Sequence, residues 1–163
     1  MSLTESQAKP RAILIRFGDQ GDGVSAAPSV ALSQRLAADM EHVVEKLHAL
    51  TVPIVSSASG GEVSGAALWA WMVGDYTVAG PDATFGADAL LCGVAGLQQR
   101  VGFQTLQQLR RQRDMQRMSA AAALRAGITS EVCTDATARG EQFASWLAWQ
   151  APTGTRRFMP FLR

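Results

Sequence analysis

The sequence is short of most features that would settle a function at a glance. Its two cysteines, Cys92 and Cys133, stand far apart with no CxxC or Cys/His spacing. That argues against a disulfide framework, a zinc site or a redox pair, and for reduced thiols in the cytoplasm. Neither sign of charge dominates: fifteen basic and fourteen acidic residues leave a net charge of +1, so no global field favours nucleic acid or an anionic membrane. No apolar run approaches the ~20 residues that span a bilayer, and the opening MSLTESQAKPR lacks the apolar core of a signal peptide. The two histidines, His42 and His48, lie six apart on one amphipathic segment and offer no metal pair.

What the chain has is apolar content, 47% of 163 residues, enough for one buried core and hence one domain over residues 1–163. Residues 1–11 read as an extended or disordered lead, and 152–163 as a tail with exposed Phe158, Met159, Phe161 and Leu162. Ala12 to Ile15 form an apolar run without alternation, as in a strand buried on both faces. A Gly-rich loop, GDQGDG, follows from Gly18. Leu32, Leu36, Met40, Val43, Val44, Leu47 and Leu50 then recur at three- and four-residue steps, which predicts an amphipathic helix over about 30–49.

The run VPIV, 52–55, predicts a second buried strand, and Ser64 to Val73 an apolar helix. Tyr76 to Ala79 reads as a third strand before the turn Gly80-Pro81-Asp82. Strand, helix, strand, helix, strand at this spacing calls for parallel βαβ units with right-handed crossovers, an α/β fold. Further on, residues 103–117 read as one helix. Ser119 caps a short helix closed by Gly127. Thr134 or Asp135 starts a last helix that buries Phe143, Trp146 and Leu147.

The stretch VPIVSSASGGEVSGAALWAWMVGDYTVAGPDATFG resembles the crotonase superfamily, the enoyl-CoA hydratase/isomerase group. There a strand like P-V-I-A-A-V-N-G leads into A-L-G-G-G, an apolar helix, C-D, a strand ending in Ala, and A-x-F-G. Two later segments, CGVAGLQQRVG and MSAAAALRAGITSEV, are similar to further motifs of the family in the same order. The resemblance runs from about residue 12 to 157 and implies a crotonase-like fold, parallel βαβ units with helices packed around the sheet. It lacks counterparts to the family's first strand and to most of the C-terminal helices that pack across its trimer. It implies no cofactor and no metal. The substrate itself would be an acyl-CoA or a phosphopantetheine thioester on acyl carrier protein, and the partners further copies of the chain, a trimer in the family, or another protein.

Crotonases polarise a thioester carbonyl with two backbone N–H groups, so that the developing enolate meets preorganised donors. By the resemblance, Gly65, Ala66 and Ala67 fall on the family's glycine run, with the Ala66 N–H as one donor. The second donor would come from the loop after the first strand. Pro28 occupies that position and has no N–H. Either the loop is shifted by one, making Ala27 the donor, or the hole is halved. Hydratases also carry a pair of glutamates. Trp69 and Ala89 stand at those positions, so water addition by the family's usual route is not supported.

Asp88, one residue before Ala89, is the nearest candidate acid/base, set against a solvated or N-capping role. Glu62 reads as a plain turn residue, and Asp75 matches a structural aspartate of the family. Trp69 or Trp71 can fill the acyl pocket where the glutamate would be, or pack in the core; two apart on a helix, they face different ways. The string RRQRDMQR, Arg110 to Arg117, is either a solvated face or a surface for a CoA phosphate or an acidic carrier. Cys92, in LLCG, reads as an inert buried thiol.

Three functions follow from these residues. One is an enzyme on acyl thioesters that dispenses with the glutamate pair, a decarboxylase or isomerase of the kind found in polyketide-type biosynthesis. Another is a non-catalytic module that binds or stabilises a partner. A third comes from the resemblance of Ser64-Gly65 to the nucleophile turn of the related Clp and signal-peptide peptidases, for which neither histidine is placed as a base.

Overall fold

A computed structural model describes residues 12–17, 42–43, 46–47, 49–86 and 117–150. The greater part of the predicted helix at 30–49, most of that at 103–117 and the tail lie outside these residues. Strands β1 (Ile13–Phe17), β2 (Ile54–Ala58), β4 (Tyr76–Ala79) and β7 (Glu131–Val132) form one sheet in the order β1-β2-β4-β7, parallel at every pairing. A second sheet joins β3 (Glu62–Val63), β5 (Thr84–Gly86) and β6 (Arg117–Ser119), with β3 parallel and β6 antiparallel to β5. Helices α1 (Gly65–Val73), α2 (Ala120–Arg125) and α3 (Ala136–Gln150) follow, and residues 42–43, 46–47 and 49 are helical as well. The expected α/β class with parallel strands is what forms.

The second strand begins at Ile54 rather than Val52, because the run is carried on by small residues. Pro53 has no N–H to add to a ladder, yet its carbonyl accepts from the Ile13 N–H at 2.9 Å and so still holds β1 in register. Every residue of β2 is buried. Helix α3 lies over one face, where Gly140 lets it come close: a Cβ there would stand 2.8 Å from the Ser57 Cβ. Asp75 ties the strand's start to the chain after α1. Its Oδ2 accepts from the Ile54 N–H at 2.9 Å, and its own N–H donates to the Ile54 carbonyl at 2.7 Å. The structural reading of this aspartate is thus the one that the geometry bears out.

The other core cluster gathers Ala58, Val63, Leu68, Trp71, Phe85, Met118, Ala123 and Ile128 between the two sheets and α1. Trp71 is its centre, fully buried, with Phe17 at 5.5 Å and Phe85 at 5.2 Å between ring centroids. Its indole N–H donates to the Ile128 carbonyl at 3.0 Å, satisfying the one polar atom such a ring brings into a core. The short sheet contributes one face to this cluster through Val63, Phe85 and Met118 and turns the other outward.

Three expectations are corrected. Arg117 opens strand β6 instead of closing a helix. Val43 and Leu50, placed on an apolar helix face by their spacing, are exposed at 43% and 37%. On α3, Leu147 is buried but Trp146 is 50% exposed, because adjacent residues on a helix are turned by about 100° and cannot both face the sheet. The predicted cap of the short helix is as expected: the Ser119 hydroxyl accepts from the Ala122 N–H, and Gly127 follows at φ 76°. No helix among the described residues is long and apolar enough to cross a membrane.

At the β7 edge the rings of Tyr76 and Phe143 stack at 3.9 Å, and the Tyr76 hydroxyl donates to Glu131. The Arg139 Nε–H donates to both oxygens of that carboxylate at 3.0 Å. Burial, helped by the Glu131 contact, pushes the Tyr76 hydroxyl up to about 12. The hydrogen bond from Tyr76 holds Glu131 below the usual carboxylate range, burial opposing and Arg139 adding. The folded state therefore binds the Tyr76 proton more tightly than the unfolded chain does. Its contribution to stability is complete below pH 10 and lost as the pH rises through 12; that of Glu131 is present at neutral pH and lost on acidification.

Two outcomes are expected. Trp71→Ala costs about 3–5 kcal/mol in urea unfolding, whereas Trp149→Ala, at an exposed site, stays within about 0.5 kcal/mol; equal effects would contradict the core described. Tyr76 is the single tyrosine of the chain, so ultraviolet titration of tyrosinate reads it alone. Its midpoint is expected near 12 in the folded protein; a midpoint near 10 would contradict the burial of the hydroxyl together with its Glu131 contact.

Candidate functional site

The site candidate is built by the turn that follows β2. The chain leaves the sheet at Ala58, passes Ser59 and Gly60, and reverses at Gly61, whose φ of 73° is the left-handed region that favours glycine. The Gly61 carbonyl accepts from the Thr84 N–H at 2.8 Å, which pins the turn to β5. Two residues of strand β3 follow, then Ser64 in extended conformation, then the start of α1 at Gly65.

The first turn of α1 carries no acidic residue, and Ser64 makes no side-chain cap. The Ala67 and Leu68 N–H groups both turn back to the Ser64 carbonyl, at 3.1 and 3.4 Å. Helix geometry leaves the Gly65 and Ala66 N–H groups with no partner within the helix. With the helix dipole behind them, they form an end suited to negative charge. Ala66 sits there with helical backbone, so alanine stands at this position without the strain of a positive φ, which no non-glycine residue shows among those described.

Of the residues singled out from sequence, Gly65, Ala66 and Trp69 all lie on α1, at its first, second and fifth positions. Ala27 and Asp88 lie outside the described residues, as do Pro28, Ala89, Cys92, His48 and residues 110–116. Trp71 is resolved in favour of the core. Cys133 is half-buried, and burial pushes its thiol up, away from the reactive thiolate. Ser64 has no hydrogen bond to a base among the described residues, and His42 is exposed on its helix. Among the described residues, no three metal-ligating side chains come together.

Glu62 is the residue that sequence reasoning placed too simply. It is a strand residue, and its Oε2 pairs with Arg117 Nη2 at 2.9 Å across β5. Gly86, between them, faces Ser64 so closely that a Cβ there would lie 2.6 Å from the Ser64 Cβ and 3.5 Å from Glu62 Oε1. A two-residue strand is too short to show a period of two, and nothing in the sequence joins residues 62 and 117. The signal that was available is Gly86 itself, a glycine closing a β run beside a turn.

No family model matches the sequence, and no curated protein does. Solved structures do share its architecture. A Pseudomonas aeruginosa protein superposes with a TM-score of 0.66 at 24% identity, over 94% of this chain and 70% of its own. An enoyl-CoA hydratase from Shewanella pealeana gives 0.70 at 18% identity, over 91% of this chain and 61% of its own. A methylmalonyl-CoA decarboxylase in complex with 2-nitronate-propionyl-CoA gives 0.69 at 23% identity, over 91% and 62%. The chain thus spans between 61% and 70% of the length of these three. At such identities the likeness is one of architecture, and by it the chain has the crotonase fold of the enoyl-CoA hydratases.

Proposed function

We propose that this chain binds an acyl thioester, on CoA or on an acyl carrier protein, with its carbonyl oxygen at the start of α1. The observation that carries the proposal is the helix end after the Gly61 turn, where the Ala66 N–H has no partner within the helix and the helix's first turn carries no acidic residue. An enoyl-CoA hydratase and a methylmalonyl-CoA decarboxylase in complex with 2-nitronate-propionyl-CoA share this fold, which supports the same substrate class. Ala27 is proposed as the second donor, and Asp88 as a carboxylate near the reacting carbon.

The chemistry that suits such a site is enolate formation without a glutamate pair, as in a decarboxylase or isomerase, and polyketide-type biosynthesis is the setting that the sequence resemblance supports. Trp69 at the first glutamate position and Ala89 at the second favour these reactions over hydration. The same residues, with Pro28, support a second reading: a binding module that has kept the thioester turn and lost turnover. A homo-oligomer, or a complex with a partner protein, is the assembly that goes with either reading.

The test is to incubate the protein with crotonyl-CoA and with 3-methylglutaconyl thioesters on CoA and on carrier protein, following products by mass and binding by thermal shift. The enzyme reading predicts a decarboxylated or isomerised product and a loss of about 10²–10³ in rate for Ala66→Pro, which removes one hole donor. Thermal shift without product supports the module. Neither shift nor product with any thioester contradicts the proposal.

A further inference from the structure

We infer that Glu62 is the proton-transfer group of this site, acting on the carbon next to the thioester carbonyl; the inference rests on the thioester reading above. An enolate made by loss of an α-proton, rather than of carbon dioxide, needs a base, and the two positions where a glutamate would be sought carry Trp69 and Ala89. The fold supplies a carboxylate from a third direction. Glu62, Ser64, Gly86 and Arg117 share the outward face of the short sheet, opposite the buried Val63, Phe85 and Met118.

The two oxygens of Glu62 are used differently. Oε2 is held by Arg117 Nη2 at 2.9 Å. Oε1 lies on the Gly86 side, 3.5 Å from where a Gly86 Cβ would stand, and Ser64, the residue from which α1 starts, flanks the same point at 2.6 Å. Gly86 keeps that approach open, since any side chain would be driven into Ser64, 2.6 Å from the first added carbon. The carboxylate is accessible as well as anchored, with 36% of its side chain exposed. An exposed ion pair of this kind contributes at most about 1 kcal/mol to stability, so fold stability is a weak reason for its presence. As a tether that keeps the other oxygen beside Gly86, which borders Ser64, it has a use.

The step is a proton transfer that needs no other reactant. On a β,γ-unsaturated acyl thioester, Oε1 takes a proton from the α-carbon. The electrons of that C–H bond pass into the enolate, whose charge gathers on the oxygen at the Ala66 N–H. The proton returns to the γ-carbon, a new C–H bond forms there, the double bond moves to α,β, and the carboxylate is restored. Nothing is oxidised or reduced. Isomerisation is thereby singled out among the enolate chemistries open to the site, because it calls for a group that takes a proton and gives it back, which decarboxylation does not.

The experiment uses 3-butenoyl-CoA in deuterated water, reading deuterium at the α-carbon by mass, crotonyl-CoA as product, and binding by thermal shift. Wild type is expected to exchange and isomerise. Glu62→Gln should bind as well as wild type and lose about 10²- to 10⁴-fold in exchange, the usual worth of a positioned base. Glu62→Asp, which keeps the charge but draws it back by one methylene, should fall between. Full exchange in Glu62→Gln, or a loss confined to Asp88→Ala, would overturn the assignment. Binding by wild type with no α-exchange would overturn it while leaving the thioester reading intact. Absence of binding by wild type would overturn both.

Discussion

The burial of β2 is the constraint on which the rest depends. Every residue from Ile54 to Ala58 is out of contact with solvent, with β1 and β4 on its edges and helix α3 close over one face. That burial leaves the Ser56 and Ser57 hydroxyls without a hydrogen-bond partner among the described residues, a cost tolerated because small side chains are what the packing needs there. Gly74 and Gly140 meet the two serines from opposite sides, and a Cβ on either would come within 3 Å of one. A strand held this firmly delivers the chain to the Gly61 turn in one position, and that position fixes where α1 begins.

The second constraint is the route after the turn. The Gly61 carbonyl is claimed by Thr84, β3 pairs with β5, and β5 pairs with β6. The short sheet thus brings residues 62, 86 and 117 to the start of one helix. Trp71 locks the arrangement from below by filling the space between Phe17 and Phe85 and reaching Ile128 with its N–H. Structural polar work is done elsewhere: the Tyr76, Glu131 and Arg139 group sits at the far edge strand and at the opposite, entering end of β4. Its perturbed hydroxyl is a feature of packing and ion pairing, a reminder that a shifted group alone does not mark a functional site.

What the sequence disclosed follows from the physics of each element. β4 is predicted to the residue because it is bounded by Asp75 and Gly80 and has apolar or β-branched residues between them. The short helix after Ser119 is equally plain, since both its cap and its terminating glycine are local signals. β3 and β7 are two residues each, below the length at which any periodicity exists, and only their partners make them strands. Trp69 and Trp71 look alike in sequence, and the direction of α1, which no spacing reveals, is what carries Trp71 into the core. Glu62 reads as a turn residue for the same reason: what makes it a strand residue with an ion pair is β5 and Arg117, the latter fifty-five positions away.

The account turns on the helix start after Gly61 polarising a thioester carbonyl, and the vibrational frequency of that carbonyl reports it directly. Infrared difference spectra of crotonyl-CoA labelled with carbon-13 at the carbonyl should show the bound band moved to lower frequency, the mark of strong hydrogen bonding to its oxygen. Ala66→Pro, which deletes one donor where a helix tolerates proline, should return the band toward the position seen in water-free, unbonded thioester. A bound ligand with an unshifted band in the unmodified protein would contradict the account.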